Sequence, residues 1–505
     1  MDNNRNRREN RNEGENIESR AHRRPENIYN NSGSQTRQPR TEQQQQRQQT
    51  RQTDNDRQYT YVPADGGRRQ TSSMTVKRDV SSVSIPEDRK LERKINREIK
   101  ESRKEESWQQ DIVRVKGSPD LLLLVVCIIL LALGAVTIYS AGYPVAISDG
   151  YDGFYHLRKH LMWIGVGMVP LLAAYIMKPE FYKKWAPIAL YALGAVLLVI
   201  AFIKGTSSED STSRWLILFG GKISVQPSEI MKAAVPMMIG WYVDKNPSDF
   251  YDQEHTKLQK FLITLKPVLI VLVACGLIIL GKHLSGTIIV AIIGIATLIV
   301  AGYKIRWLIP AILPISVIAG LIYFLTHQYA WSRVTTFFSG SASSMDEKYQ
   351  TMQSVYAIGS GGLLGKGIGQ SQVKYGFLPK AHTDFIFSVW CEELGFVGAV
   401  AVVILFMVLV WRGYRIAMRA PDKFMSLTAF GITTHIGLQA FLNMFVATDL
   451  IANTGIPLPF FTYGGSSMVI LMGEIGILLG ISRRSYRKKA DIEREELMRK
   501  AKMEL

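Results

Sequence analysis

The stretch Tyr375–Gly395, YGFLPKAHTDFIFSVWCEELG, sets His382 and Asp384 just before a strongly apolar run, with Glu392 and Glu393 about two helical turns inside it. Ionisable groups at membrane depth are costly, so they mark function or an internal ion pair. A single carboxylate such as Asp384 suits general-base work, taking a proton from an attacking hydroxyl. The leaving group then needs a cation or a metal. His382 is too close to Asp384 along the chain for a side-by-side triad. The sequence also has no GxSxG elbow and no HExxH zinc pair, which argues against a hydrolase.

Three other stretches carry polar chemistry. In RWLILFGGKISVQPSEIMK (Arg214–Lys232), Pro227 suits the first turn of a helix, on which Glu229 and Lys232 share a face at i,i+3. The pair is either a structural ion pair or a device that steers a nearby acid or holds an anionic substrate. NTGIPLPFFTYGGSS (Asn453–Ser467) fixes irregular backbone that either seats the last helix or lines a cavity. Glu474, further on, reads as an internal hydrogen-bond partner. A long segment ahead of Asp384 contains Arg333, Gln350, Gln353 and the glycine run GSGGLLGKGIG with Lys366. Those glycines either offer amides to phosphate or pack tightly at the membrane surface. A P-loop is excluded by Ser360 and Gly367, and a dinucleotide fingerprint by Gln370.

The elements that must position these groups follow from hydropathy. Residues 1–86 are too polar to bury a core and are expected to be disordered. Residues 87–117 alternate charges at i,i+4 and are expected to form a charged juxtamembrane helix. From Pro119 ten apolar segments are long enough to span a membrane, near 119–142, 157–177, 185–203, 226–243, 264–281, 284–302, 307–326, 385–411, 424–447 and 464–482. The expectation is an all-α polytopic membrane protein: ten transmembrane helices over 118–485, a disordered cytoplasmic N-terminal tail and a charged tail over 486–505. The net charge is +17, of which residues 1–117 hold +7 and the rest +10. The more basic set of loops puts both termini in the cytoplasm and Asp384 on the outer face. No folded motif supports nucleic-acid binding. Cys127, Cys275 and Cys391 lack metal or disulfide spacing and read as small core residues. The first apolar run starts too late for a signal peptide and reads as an uncleaved first span.

Taken in order, RW…QPSE…K, HLSGT (His283–Thr287), the glycine run, LPKAHTDFIF…EELG and TGIPLPFFTYGGSS resemble the SEDS family of bacterial cell-wall synthesis, the FtsW, RodA and SpoVE proteins, over about residues 119–485. The resemblance implies a peptidoglycan glycosyltransferase that polymerises lipid II outside the bacterial cytoplasmic membrane. It implies Asp384 as the general base, with Glu229 and Lys232 near the same cavity. Arg214, Lys380, His382, Gln350, Gln353 and Lys366 are the further candidates for binding substrate or supporting the base. It also implies a divalent cation (Mg or Mn) on the pyrophosphate, with no legible ligand set, and a class B penicillin-binding protein as partner. Other divisome or elongasome proteins would dock on the N-terminal tail. Competing functions are a lipid II flippase and a membrane scaffold. The chain departs from the family at Lys380, where glutamate is usual; a cation there favours the ionised form of Asp384. It departs again at GKHLSGT, in place of QPDLGT, and at Ala452, in place of proline. The HTDFIF form leans toward FtsW or SpoVE over RodA.

Overall fold

A computed structural model describes residues 112–114, 118–204, 215–218, 223–247, 256–326, 345–462, 465–484 and 486–488. The tail 1–86, Arg214 and Arg333 lie outside the described residues. In chain order the elements are β1 (Ile112–Arg114), α1 (Leu121–Ser148), α2 (Tyr155–Ile176), α3 (Pro179–Lys204), β2 (Leu216–Leu218), β3 (Ile223–Val225), α4 (Pro227–Lys245) and α5 (Lys257–Leu280). They continue with α6 (Leu284–Ala301), α7 (Ile305–Thr326), α8 (Met345–Ser360), α9 (Ile386–Met418), α10 (Lys423–Ala447), α11 (Gly465–Ser482) and β4 (Tyr486–Lys488).

Each expected span is met by a helix, and the protein is a multi-pass membrane protein. The count of ten is not reached on length and apolarity, because eight described helices qualify. The charges Glu229, Lys232, Asp244 and Lys245 set α4 apart, and the apolar part of α7, Ile305–Leu321, is shorter. Of the helix expected over 87–117, the described piece is instead a strand: β1 pairs antiparallel with β4. Ile112 and Val113 are β-branched and fit the extended backbone. A second small antiparallel pair joins β2 to β3.

Helix starts are set by side chains that take up orphan amides. Asp120 caps α1 through Leu123 N at 3.0 Å, Asp422 caps α10 through Met425 N at 2.7 Å, and Thr256 with Gln259 forms a capping box on α5. Lys183 of α3 bridges Asp244 at 2.8 Å and Asp422 at 3.4 Å. Burial separates inner from outer helices. The most apolar window of α10 is 67% buried and that of α11 61%, against 17% for α2, so α10 and α11 form the centre and α2 faces lipid. Small residues let backbones meet: a Cβ on Gly476 would lie 2.3 Å from Leu171 O, where α11 crosses α2.

The glycine run is packed backbone. Helix α9 breaks at Gly395, whose φ of 64° and ψ of −162° suit glycine alone. Into that break the run docks. Lys366 N and Gly367 N donate to Glu392 O and Glu393 O at 3.0 and 2.9 Å, and Phe396 N and Val397 N donate to Gly362 O and Leu363 O at 2.9 and 3.1 Å. A Cβ on Gly365 would stand 2.1 Å from Glu393 O. Of the two readings, the structure therefore gives tight packing, with two of the amides taken by α9 carbonyls. Gly365→Ala combines that clash with a positive φ of 81°, and we expect it to destabilise the protein by more than about 1 kcal/mol, seen as a lower melting temperature in detergent.

Candidate active site

Helix α10 carries three polar side chains one turn apart, His435, Gln439 and Asn443, all buried. Spaced at i, i+4 and i+8, they line one face. Each grips a different part of the molecule. Asn443 Nδ2 donates to Asp384 O and to Ile456 O, both at 2.8 Å. Gln439 Nε2 donates to Pro457 O at 3.1 Å. Its Oε1 accepts from Lys232 Nζ at 2.8 Å and lies 2.9 Å from His435 Nε2. Nδ1 of His435 lies 2.8 and 3.0 Å from the carboxylate oxygens of Glu474 on α11.

Glu229 and Lys232 form an ion pair on α4, each 2% exposed. A charge pair so deep is stable only with further hydrogen bonds, and the Gln439 carbonyl supplies one. A cavity of ≈ 20 Å³ beside it is lined by Glu229, His435, Gln439 and residues 457–460, among others. It has room for one water.

Asp384 sits half-buried at the end of a tight turn, just ahead of α9. The turn is built on Lys380, which is exposed and holds a left-handed φ of 58°. The carbonyl of Lys380 accepts from Thr383 N at 3.0 Å, Thr383 Oγ1 at 3.2 Å and Phe385 N at 3.4 Å. The carboxylate faces the irregular 453–460 segment: a Cβ on Gly455 would lie 3.6 Å from Asp384 Oδ2. That segment is held from three sides. Asn453 Nδ2 donates to Gln350 Oε1 of α8 at 3.4 Å, Ser285 Oγ of α6 donates to Thr454 O at 2.8 Å, and α10 grips Ile456 and Pro457. The HLSGT stretch meets QPSE here too, with His283 Nδ1 lying 3.0 Å from Ser228 Oγ and 3.4 Å from Gln226 Nε2.

The other sequence candidates divide between this assembly and its surroundings. Gln350 contacts the loop beside Asp384, and Gln353 is half-buried on the same helix. Lys366 is ion-paired to Glu392 at 2.7 Å. Glu392 also accepts from Ser371 Oγ at 2.6 Å and Gln372 N at 3.2 Å. Glu393 meets Lys374 Nζ at 3.0 Å and Ser140 Oγ of α1. The two glutamates thus hold the glycine run and the following turn on α9. Sequence reasoning missed Asn443, Gln439, His435 and Lys374. Among the described residues no three His, Cys, Asp or Glu side chains are placed to hold a metal ion.

His382 packs its ring against His156 of α2, with centroids 5.1 Å apart. Its Nδ1 is buried and, among the described residues, makes no hydrogen bond. Burial, and then His156, push its pKa down from 6.5 to about 4, against a smaller opposite pull from Asp149. Between those values the unfolded chain binds more protons than the folded one, so stability rises with pH through that window. We expect acidification from pH 7 to 4 to cost at most about 3 kcal/mol through this group, and His382→Gln to flatten that part of the melting-temperature profile. Asn443→Leu removes the amide that donates to the Asp384 and Ile456 carbonyls and should cost about 2 kcal/mol or more, measurable by thermal unfolding.

The family model described as "Cell cycle protein", that of FtsW, RodA and SpoVE, matches residues 120–487. The chain is 34% identical over 374 residues to "Probable peptidoglycan glycosyltransferase FtsW" of Geobacter sp. (strain M18), covering 74% of this chain and 98% of that protein. It is 35% identical over 381 residues to "Stage V sporulation protein E" of Bacillus subtilis (strain 168), covering 73% and 98%. Among solved structures, a chain from "Structural coordination of polymerization and crosslinking by a peptidoglycan synthase complex" superposes with a TM-score of 0.58 at 23% identity, covering 72% of this chain and 98% of that one. The rod shape determining protein RodA of Thermus thermophilus superposes with a TM-score of 0.52 at 23% identity, covering 73% and 98%.

Proposed function

This chain belongs to the FtsW, RodA and SpoVE family of cell cycle proteins, and on that premise we propose that it is a peptidoglycan glycosyltransferase that polymerises lipid II. The observation that carries the reading is a run of contacts from QPSE to HLSGT to TGIPLPFF, the last of which faces the half-buried carboxylate of Asp384, whose backbone is clamped by Asn443. Asp384 is the general base. It takes the proton from the 4-hydroxyl of the acceptor sugar as that oxygen attacks the anomeric carbon of the donor. The bond from that carbon to the pyrophosphate oxygen breaks, and undecaprenyl pyrophosphate leaves with the electron pair.

The surroundings suit that step. Lys380 is exposed on the turn that leads to Asp384, and its role in this reading is to meet the negative charge that grows on the pyrophosphate. The Glu229–Lys232 pair acts through Gln439 on the Pro457 backbone and so shapes the wall opposite Asp384. Arg214 keeps its proposed role in substrate binding, as do Gln350 and Gln353. A divalent cation would arrive on the donor pyrophosphate, with no step assigned to it. Both termini are cytoplasmic in this reading, and Asp384 works at the outer face. The partner is a class B penicillin-binding protein, a reading supported by the fold shared with a chain of a complex that joins polymerisation to crosslinking.

The test is reconstitution of the purified chain with its penicillin-binding protein and lipid II. Glycan strands should form, and Asp384→Ala should lower their rate by about a hundredfold or more while the melting temperature holds. Normal polymerisation by that variant would remove Asp384 from the role, and lipid II crossing vesicles without polymerisation would favour a transporter. Chelation with EDTA should slow the reaction and added Mg or Mn should restore it; an EDTA-indifferent rate would dismiss the cation.

A further inference from the structure

The connection between α1 and α2 carries aromatic rings that serve neither the buried core nor the hydrogen bonds around Asp384. Tyr151 lies flat on Tyr155 of α2, with centroids 4.1 Å apart and planes 8° apart. Phe154 stacks on Tyr139 of α1 at 5.1 Å and 23°. In each stack the inner ring is half-buried, while Tyr151 is 50% exposed and Phe154 49%. Each outer ring therefore has one face covered by its partner and turns the other outward. The loop that bears them is held by its own backbone. Asp149 N, Gly150 N and Tyr151 N donate to Val145 O, Ile147 O and Ala146 O at 3.0, 3.1 and 2.8 Å, and Gly150 ends α1 with a left-handed φ of 78°.

These rings stand beside the turn that bears Asp384. α2 starts level with Gly142, where a Cβ would lie 2.8 Å from His156 Cβ. α1 runs on to Ser148, so its end rises ~9 Å beyond that level and forms a ledge. A line of rings leads from the ledge to the turn: Tyr151 on Tyr155, Tyr155 edge-on to His156 at 5.2 Å, and His156 against His382 at 5.1 Å. Aromatic side chains at a membrane boundary often serve as anchors in the headgroup layer. Here they are stacked on one another instead, and exposed charges stand among them: Asp149, and Asp152 paired with Arg158 at 2.5 Å. Flat rings edged by carboxylates and a guanidinium suit a molecule with apolar faces and a polar rim. A sugar in its chair form has that build, with C–H bonds that meet the negative face of an aromatic ring and hydroxyl or acetamido groups at its edge. We propose that Tyr151 and Phe154 are a stacking platform for the amino-sugar rings of the glycan strand, with the charges of the ledge taking up its polar rim. The identity of the saccharide rests on the polymerase reading; the platform itself rests on the rings.

The probe is chitotetraose, a soluble oligomer of N-acetylglucosamine, added to the full chain in phosphatidylcholine nanodiscs and followed by saturation-transfer NMR. Its ring C–H protons should receive saturation. The Tyr151→Leu/Phe154→Leu double variant keeps the apolar surface without the flat faces and should bind about tenfold more weakly or worse. Tyr151→Phe should bind as the parent does, and so should Trp185→Leu, which removes an exposed ring on α3. Asp384→Ala should also bind, because the platform does not use the carboxylate. No saturation transfer, undiminished binding by the double leucine variant, or an equal loss in Trp185→Leu would overturn the proposal. So would a lower melting temperature of the double variant in nanodiscs with its saccharide affinity intact, which would make the rings a membrane anchor. The two readings fail separately: a parent chain that polymerises lipid II without binding chitotetraose loses only the platform, and one that binds it without polymerising loses only the polymerase.

Discussion

Inside a membrane, a polar group that cannot reach water must find its partner within the protein, and helix α10 is where this molecule meets that demand. His435, Gln439 and Asn443 occupy one face of a helix otherwise packed in apolar contacts. Through them the ion pair on α4, the acid on α11, the irregular 453–460 backbone and the turn carrying Asp384 become a single hydrogen-bonded body. No member can be removed without leaving another buried atom unsatisfied. That mutual dependence, more than any one bond, fixes where Asp384 stands.

A second polar body lies beside it, built on the first half of α9. Glu392 and Glu393 take up Lys366, Lys374 and the backbone of the glycine run, and the break at Gly395 makes space for that backbone to dock. The buried charges described here are thus largely structural, each matched by an opposite charge or several donors. Asp384 differs in being half-buried, at a loop, on the turn that begins at the exposed Lys380.

Much of this was legible in the sequence because function left irregular marks on apolar background. A proline and two charges in QPSEIMK, two prolines and a glycine in TGIPLPFF, and an aspartate before an apolar run cannot be mistaken for lipid-facing helix. The spans were legible too, since hydropathy reports them directly. α4 was the exception in kind: it is found as a helix, yet its four charged residues take it below the apolarity of a simple span. The ladder on α10 went unread although its spacing was visible, because His, Gln and Asn without a formal charge blend into a hydrophobic segment. The partners of Glu393 could not be found that way at all, since Ser140 lies far away in the chain and only the packing of α1 on α9 unites them. The glycine run shows the opposite hazard. Its composition fits phosphate binding and backbone packing equally well, and only the carbonyls of α9 decide between them.

Asn443 grips Asp384 by its carbonyl oxygen, an atom that every residue type possesses. Scaffold and reagent are therefore separable at this position: the fold specifies where a side chain will stand without depending on which one stands there. On the proposed role of Asp384, a chain altered at 384 would keep the architecture of its working form and be a suitable frame in which to capture both sugars before they join. Over evolutionary time the same separation lets a lineage keep the membrane framework and discard the chemistry, leaving an inert copy that can still occupy its place in an assembly.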